Sequence, residues 1–140
     1  MIKIHILAIG TLKKGALYDL YCDYEKRSGW PIKLHECRNN EKLAEKINKD
    51  WPVWMMDERG ISVKSTAFAT DLQNVIHNGE KNLQLVIGGA DGLPEDVRKS
   101  AHKLISFGKQ TWPHMLVRVM LMEQLYRAQQ ILKGHPYHRE

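Results

Sequence analysis

The chain has only two cysteines among its 140 residues, Cys22 and Cys37, and they lie far apart. A zinc site needs closely spaced pairs of ligands, which this arrangement does not provide. We therefore predict that both are small core residues of a protein in a reducing compartment. No apolar run reaches the roughly 18 residues that a membrane-spanning helix needs, and no internal repeat or low-complexity segment is present. These absences favour one domain, covering 1–140, without a membrane partner.

Motifs that bind nucleotide phosphates are also missing. The segment Gly88-Gly89-Ala90-Asp91-Gly92 is rich in glycine, but no Lys-Ser or Lys-Thr pair follows it, and its glycine spacing differs from GxGxxG. His135 and His138 near the carboxyl end could bind a metal, but no acidic ligand is well spaced for it. We therefore predict no metal site, and a nucleotide- or metal-dependent hydrolase is disfavoured.

Positive charge is what the sequence has in excess: its formal net charge is +5 and its pI is about 9.2. A basic balance permits an anionic partner such as nucleic acid. After position 102 the acidic residues are only Glu123 and Glu140. The basic residues and histidines there are Lys103, Lys109, His114, Arg118, Arg127, Lys133, His135, His138 and Arg139. We therefore expect the C-terminal quarter of the chain to form the contact face.

The order of the predicted elements indicates the fold class. Residues 2–9 are β-branched and end at a glycine, which is typical of a strand and unlike a signal peptide, so the expected compartment is the cytoplasm. Apolar spacing predicts further strands at 31–37, 52–57, 83–87 and 104–107, and helices at 15–28, 39–49, 65–77, from 94 and at 113–132. The predicted helix caps are Asn39 or Asn40 for the second helix, Ser65 for the third and Thr111 for the last. This alternation predicts an α/β domain with a mainly parallel sheet flanked by helices.

Two loops follow predicted strands at the edge where ligands of parallel sheets bind. The first is Gly88–Gly92, whose glycines would let the backbone come close to a ligand. The second, Ser106–His114, should lie beside it. Each also has a simpler interpretation, a tight turn for the first and a capped helix start for the second, and the residues alone leave both open. Asp57-Glu58, at the end of a third strand, is interpreted as a solvated turn.

The last helix and the tail after it carry charged and aromatic side chains. Arg118 and Arg127 are about two and a half turns apart, so they project from nearly opposite sides of the helix. One could hold phosphate, and one could pair with Glu123 or cap a chain end. The segment 133–140 reads Lys-Gly-His-Pro-Tyr-His-Arg-Glu. Chain ends are usually weakly ordered, but this one suits RNA, with Tyr137 for base stacking and Arg139 for phosphate.

Several segments together carry a family resemblance. They are LVIGGADGL at 85–93, the residues from SF to TWPH at 106–114, VRV at 117–119 with EQLYRA at 123–128, and HPYHRE at 135–140. In this order and spacing they resemble the ribosomal large-subunit RNA methyltransferase H family of the SPOUT superfamily. The resemblance implies an α/β fold whose carboxyl-terminal section forms a trefoil knot, a feature nearly absent from other proteins. It also implies a homodimer that uses S-adenosylmethionine to methylate N3 of a pseudouridine in helix 69 of 23S rRNA, on the assembled 70S ribosome, with neither membrane nor DNA as a partner.

The resemblance also implies site residues by position. The implied cofactor contacts are Met56, Gly88, Gly89, Ser106, Phe107, Gly108, Lys109, Gln110 and Thr111. The expected catalytic residues are Tyr137, His138 and Arg139, and the expected RNA contacts are His114, Arg118, Lys133 and His135. Two features depart from the family pattern. The stretch between Cys37 and Trp51 is shorter, and Met56 stands where leucine is common, although methionine still offers an apolar wall.

A proton must leave the target base in the implied reaction. N3 of a pseudouridine carries that proton near neutral pH, and the candidate acceptors are His138 and a water held by His114, because histidine titrates near the working pH. Alignment alone can lower a barrier by about 7 kcal/mol or more, so a dedicated base can contribute less than positioning. The alternative function is a non-catalytic RNA-binding module with the same basic face and no cofactor.

Overall fold

The computed structural model describes residues 1–139, which form a five-stranded sheet with helices on both faces. The strands are β1 (Lys3–Ile9), β2 (Ile32–Cys37), β3 (Val53–Ser62), β4 (Asn82–Ile87) and β5 (Lys103–Ser106). The helices are α1 (Ala16–Arg27), α2 (Asn40–Lys46), α3 (Ser65–His77), α4 (Glu95–Arg98) and α5 (His114–Leu132). Strands and helices alternate along the chain, as predicted.

All five strands run parallel, in the order β2-β1-β4-β3-β5. Ile6 of β1 lies between Leu34 of β2 and Leu85 of β4. Helices that connect parallel strands cover both faces of the sheet, which explains why the central strands are almost continuously apolar. The predicted α/β fold with a parallel sheet is confirmed. Because the strands are parallel, their carboxyl ends all meet at one edge.

The larger core lies between one face of the sheet and the helices α1, α3 and α5. Ile4, Ile6 and Ala8 of β1 point to this face, since alternate residues of a strand share a side. Leu7 points to the other face, where α2 and α4 cover a smaller core. Helix α5 packs against both α1 and α3. Its residues in the larger core are Val119, Leu121, Met122, Leu125 and Ala128.

Both cysteines are free thiols. Cys37 is buried at the end of β2, which confirms its predicted core position, whereas Cys22 is half-buried on α1. Within residues 1–139, no helix combines the length and the apolar character needed to cross a membrane. Over the same part of the chain, no three side chains of His, Cys, Asp or Glu are grouped as metal ligands would be.

Strand β3 is longer than predicted, because it continues through Glu58–Gly60, where the sequence was expected to turn. The pairing with β5 shifts in register between Met56 and Ile61 and then resumes. Gly60 permits this, since a Cβ atom there would lie only 2.6 Å from the backbone carbon of Leu104. The predicted end is therefore wrong, and the glycine marks a bulge with close backbone approach.

The predicted helix caps divide into one that forms and two that do not. Asn39 caps α2, accepting a hydrogen bond from a first-turn amide at 2.9 Å. Ser65 does not cap α3, because its hydroxyl donates to the Gln124 side chain at 2.6 Å. Thr111 does not cap α5, because its hydroxyl donates to Glu58 at 2.9 Å. In both cases a partner on a neighbouring element takes the hydroxyl.

Candidate active site

A cavity of about 320 Å³ opens at the carboxyl edge of the sheet, between the ends of β3 and β4 and the β5–α5 loop. Its size falls within the range of small-molecule sites. Most of the expected cofactor residues line it: Met56, Gly88, Gly89, Phe107, Gly108, Gln110 and Thr111. Of the other two, Ser106 is buried under the loop and Lys109 is exposed on it. The two strand-end loops therefore lie side by side, as expected from the topology.

The glycine loop, residues 88–92, places backbone against the cavity. Gly88 is buried at the end of β4, where a Cβ atom would lie 3.0 Å from the Leu93 side chain and from the backbone of Gly92. The Gly92 amide donates to the Gly89 carbonyl at 3.0 Å. Gly92 has a φ of +75°, a conformation that favours glycine. The loop is thus a tight turn and also a wall of the cavity.

The β5–α5 loop, residues 107–113, forms another wall. Gly108 has a φ of +105°, and its amide donates to the Ser106 hydroxyl at 3.0 Å. The Trp112 indole donates to the Phe107 carbonyl at 3.2 Å. The bond from Thr111 to β3 ties this loop to its neighbour. These bonds fix the loop backbone. Its remaining amides and carbonyls are therefore held in defined positions, where they can bind a ligand.

An ion cluster with a buried carboxylate lies beside the loops, in the middle of β3. Asp57 lines the cavity and its side chain is only 4% exposed. Arg59 donates to this carboxylate twice at 3.0 Å, and Arg98 of α4 lies 3.9 Å away. Burial acts to raise the pKa of Asp57, but hydrogen bonds from Arg59 and the charges of both arginines outweigh it and lower the pKa. The interpretation of Asp57 as part of a solvated turn is therefore wrong.

Replacing Asp57 by asparagine is expected to lower the free energy of unfolding by about 1.5 kcal/mol near neutral pH, because hydrogen bonds to a charged group are lost. The folded-state pKa lies below the ordinary value of 3.8. The stabilisation is therefore complete above 3.8 and disappears as the pH falls through the folded-state pKa. Urea unfolding of the unmodified protein and of Asp57→Asn, from neutral pH down to about pH 2.5, measures this difference in the free energy of unfolding. Asp50→Asn, at an exposed position, is the control. A difference that grows on acidification would contradict the ion cluster.

Arg118 does not lie on the protein surface, where a contact with RNA would have to be. Its side chain is fully buried near the start of α5 and pairs with Glu36 of β2 at 2.7 Å. It also donates to the carbonyls of Ile9 and Gly10 at 3.1 and 3.2 Å. A guanidinium without exposed surface has no room for an RNA phosphate, so the expected contact is corrected to a role within the fold. His114, by contrast, lines the cavity.

The tail, residues 133–139, folds back onto the far end of α5. The Tyr137 hydroxyl donates to Glu123 at 2.9 Å, and the guanidinium of Arg127 lies 4.8 Å from the centre of the Tyr137 ring. Arg127 also donates to Nδ1 of His138 at 3.1 Å. With a rise of 1.5 Å per residue, Glu123 and Arg127 lie about 14 and 20 Å along the helix from His114. The docked tail side chains are therefore remote from the cavity of their own chain.

The tail contacts limit the chemistry of its side chains. Burial, followed by the hydrogen bond to Glu123, raises the pKa of Tyr137 well above its ordinary value, so its hydroxyl stays protonated and donates. A guanidinium can only donate, so Nδ1 of His138 accepts from Arg127 and the neutral ring carries its proton on Nε2. In this arrangement neither group is ready to take a proton.

The other expected RNA contacts of the tail lie on its surface. Lys133, His135 and Arg139 are exposed around the turn at Gly134. Two of them carry the positive charge that a phosphate contact needs. Glu140, the last residue of the expected contact face, lies outside the described residues.

Comparison with known proteins defines the family. A family model described as predicted SPOUT methyltransferase matches residues 2–138. The chain belongs to the SPOUT methyltransferases. Relatives from Rhodospirillum centenum and Rhizorhabdus wittichii, both named ribosomal RNA large subunit methyltransferase H, are each 42% identical to it. The alignments cover 98% of this chain in both cases, and 99% and 98% of the two relatives. The chain is therefore a methyltransferase of the ribosomal RNA large subunit methyltransferase H family.

Solved methyltransferase structures share the fold. A methylase family protein from Haemophilus influenzae Rd KW20 has a TM-score of 0.64 at 10% identity, covering 98% of this chain and 70% of that one. A methyltransferase from Bordetella pertussis Tohama I has a TM-score of 0.60 at 9% identity, covering 91% and 96%. A methyltransferase from Legionella pneumophila, solved with bound S-adenosylmethionine, has a TM-score of 0.51 at 8% identity, covering 91% and 66%. At these identities the likeness concerns the fold alone.

Arg59 and Val117 are among the cavity residues of this SPOUT methyltransferase that were not predicted from its sequence. Trp112 also lines the cavity, and it lies within the 106–114 loop that was expected at this edge. Arg59 reaches the cavity because β3 continues beyond its predicted end, so the misplaced strand end concealed this residue. Val117 could have been found, because it lies one helical turn after His114 and on the same side of α5.

Proposed function

We propose that this methyltransferase transfers a methyl group from S-adenosylmethionine to N3 of a pseudouridine in helix 69 of 23S rRNA, on the assembled 70S ribosome. The proposal is carried by the cavity that the two strand-end loops form, in a chain similar over nearly its whole length to proteins named ribosomal RNA large subunit methyltransferase H. We infer that it acts as one domain of 1–140 in the cytoplasm, with the knotted carboxyl-terminal section that the family implies.

The cavity suits S-adenosylmethionine in size and in lining. At Gly88 and Gly89 the wall is backbone, and a Cβ atom on Gly88 would crowd the loop. Met56 and Val117 offer apolar surface for an adenine ring. The amides and carbonyls of 106–111 would hold the polar edges of the adenine and ribose. When bound, the cofactor supplies the electrophile, its sulfonium methyl group.

For methyl transfer, the protein has to align the target nitrogen with the methyl group of the cofactor. It also has to provide an acceptor for the proton that this nitrogen loses. His114 lines the cavity, where it can hold a water that accepts the proton. His138 could accept it only after its contact with Arg127 breaks, because that contact fixes the ring proton on Nε2. We therefore favour the water at His114 as the acceptor. Tyr137, His138 and Arg139 would then act by holding the RNA in place.

A homodimer would bring the tail and the cavity together. In one chain, the tail docks on Glu123 and Arg127, which lie about 14 and 20 Å along α5 from His114. A two-fold arrangement can place the tail of one chain at the cavity of the other, and it also widens the surface for RNA. Sedimentation at micromolar concentration tests this part of the proposal. A monomer would contradict it.

Calorimetric titration with S-adenosylmethionine tests the cofactor site. The unmodified protein is expected to bind, and Gly88→Val to bind at least about tenfold more weakly, because the added side chain displaces Leu93 and lifts the loop. Gly79→Ala is the control. Gly79 has a φ of +83° just after α3, so alanine costs stability there, but it lies away from the carboxyl edge of the sheet. Equal weakening by both variants would contradict the assignment of the glycine loop.

Mass spectrometry of 23S rRNA from cells lacking the protein tests the reaction. The expected result is loss of one methyl group from the helix 69 pseudouridine, restored fully by the unmodified protein and to a lower level by Gly88→Val. A protein that binds the RNA but gives no heat with S-adenosylmethionine would instead be the non-catalytic RNA-binding module.

A further inference from the structure

Glu123 of α5 is the centre of the contacts that hold the tail. Its Oε2 accepts from the Tyr137 hydroxyl at 2.9 Å and from Nη2 of Arg127 at 2.8 Å. Its Oε1 accepts from Nε of Arg127 at 3.2 Å and from Nε2 of the Gln124 side chain at 3.0 Å. This bidentate pairing of arginine with carboxylate fixes the relative orientation of the two groups as well as their distance. A single carboxylate thus orients a helix arginine and a tail tyrosine together.

The ring of Tyr137 has contacts of its own, in addition to those of its hydroxyl. Its ring meets the Tyr126 ring edge to face, with centres 4.9 Å apart, and Arg127 lies over it. Tyr126 is in turn covered by Arg27 of α1, whose guanidinium lies 5.7 Å from the ring centre. Aromatic pairs and cation–π contacts of this kind each add to the stability of the packing. The position and the rotation of Tyr137 are therefore both determined.

A defined turn brings the tail to this place. Gly134 has a φ of +72°, and the amides of Gly134 and His135 donate to α5 carbonyls at 3.0 and 2.9 Å. Such bonds are typical of a glycine helix end. The Tyr137 amide then donates to Nδ1 of His135 at 3.2 Å. The turn reverses the chain so that Tyr137 faces Glu123, 14 residues before it.

The charge of Glu123 is unusual for its surroundings. It lies on a stretch of the chain that is otherwise strongly basic, where an uncompensated carboxylate would repel RNA phosphates. Here Arg127 neutralises it, and its side chain is only 21% exposed. Its contacts point inward to the tail, which indicates a role in holding the tail.

We propose that Glu123 is a positioning residue that orders the tail before RNA binds. The inference rests on the proposed function, in which the tail contacts the RNA. Glu123 fixes Tyr137 directly and His138 through Arg127. A loose tail would lose its conformational freedom only on binding RNA and would weaken that binding, whereas a docked tail has already lost it on folding.

Two substitutions at Glu123 test the proposal in steps. Glu123→Gln keeps an acceptor for Tyr137 but removes the charge pair with Arg127, and Glu123→Ala removes both. We expect hydrogen exchange of 134–139 to accelerate about tenfold in the first variant and further in the second. The KM for ribosomes should rise about tenfold, with a smaller change in kcat and an unchanged affinity for S-adenosylmethionine. Glu45→Gln is the control, since it breaks a helix ion pair with Lys42 on α2, away from the tail.

Tyr137→Phe tests the same contact from its other end, because it removes only the hydroxyl. If Glu123 acts through this hydroxyl, the KM effects of Glu123→Ala and Tyr137→Phe will not add in the double variant. Full additivity would contradict the proposal. Should Glu123→Ala fail to fold, Glu123→Gln and Tyr137→Phe still provide the test.

The exchange and kinetic measurements separate two kinds of failure. If the unmodified protein methylates ribosomes and Glu123→Ala leaves both tail exchange and KM unchanged, the positioning role is overturned. If the unmodified protein transfers no methyl group but Glu123→Ala frees the tail, the proposed function is overturned while the ordering of the tail by Glu123 is supported.

Discussion

Replacing Glu36 by alanine is expected to lower the free energy of unfolding by about 3 kcal/mol, because it leaves the buried charge of Arg118 without its partner. The Arg118 side chain is 0% exposed, while that of Glu36 is 32% exposed. Removing Glu36 therefore harms the protein more through the arginine left behind than through the lost carboxylate. The same carboxylate also accepts from the Leu12 amide at 2.7 Å, so the loop after β1 loses an anchor as well.

Chemical denaturation of Glu36→Ala, beside the exposed Glu80→Ala, measures the effect. The double variant Glu36→Ala, Arg118→Met should be less destabilised than the sum of its two single variants, because it leaves no unpaired buried charge. If Glu36→Ala costs no more than Glu80→Ala, water must reach Arg118, and its buried structural role would have to be abandoned.

Much of the fold was predictable because hydrophobic periodicity reports directly on burial. Strands β1 and β4 are short apolar runs with clear ends, and the structure bounds both within a residue or so of their predicted positions. The end of β3 was not predictable in this way. Glu58–Gly60 resembles a turn locally, whereas the approach of Gly60 to β5 is a contact between segments distant in sequence. No local pattern contains that information.

The candidate site, like the fold, was predictable only in part. The two loops of the cavity follow from topology alone, because the carboxyl ends of parallel strands must meet. Arg118 was misassigned because a count of basic residues does not reveal which of them are paired. Its partner Glu36 is 82 positions away and faces it only once α5 has packed on the sheet. Family membership came from the order of several motifs, and the knot and the dimer stay predictions.

A chain that ends at Gly134 is expected to methylate 23S rRNA at least about 1,000-fold more slowly, with its affinity for S-adenosylmethionine nearly unchanged. The deletion removes Tyr137, His138 and Arg139, which the proposed function assigns to holding the RNA. Correct positioning can supply about 7–11 kcal/mol of barrier reduction, and a 1,000-fold loss corresponds to only about 4 kcal/mol of it. Cofactor affinity should persist because the docked tail contacts Glu123 and Arg127 rather than the cavity of its own chain.

The deletion is selective in two respects. It removes one positive and one negative side chain, Arg139 and Glu140, so the formal net charge stays at +5 and weaker long-range attraction cannot explain the loss. Helix α5 keeps Gly134 and its bond to the Ile131 carbonyl, and of the two bonds at its glycine end it loses only the one from the His135 amide. Single-turnover methylation of ribosomes, measured beside calorimetry, therefore distinguishes three outcomes. Selective loss of turnover supports RNA positioning by the tail, turnover within about tenfold of the full chain would remove the tail from the active site, and parallel loss of cofactor affinity would place the tail at the cofactor instead.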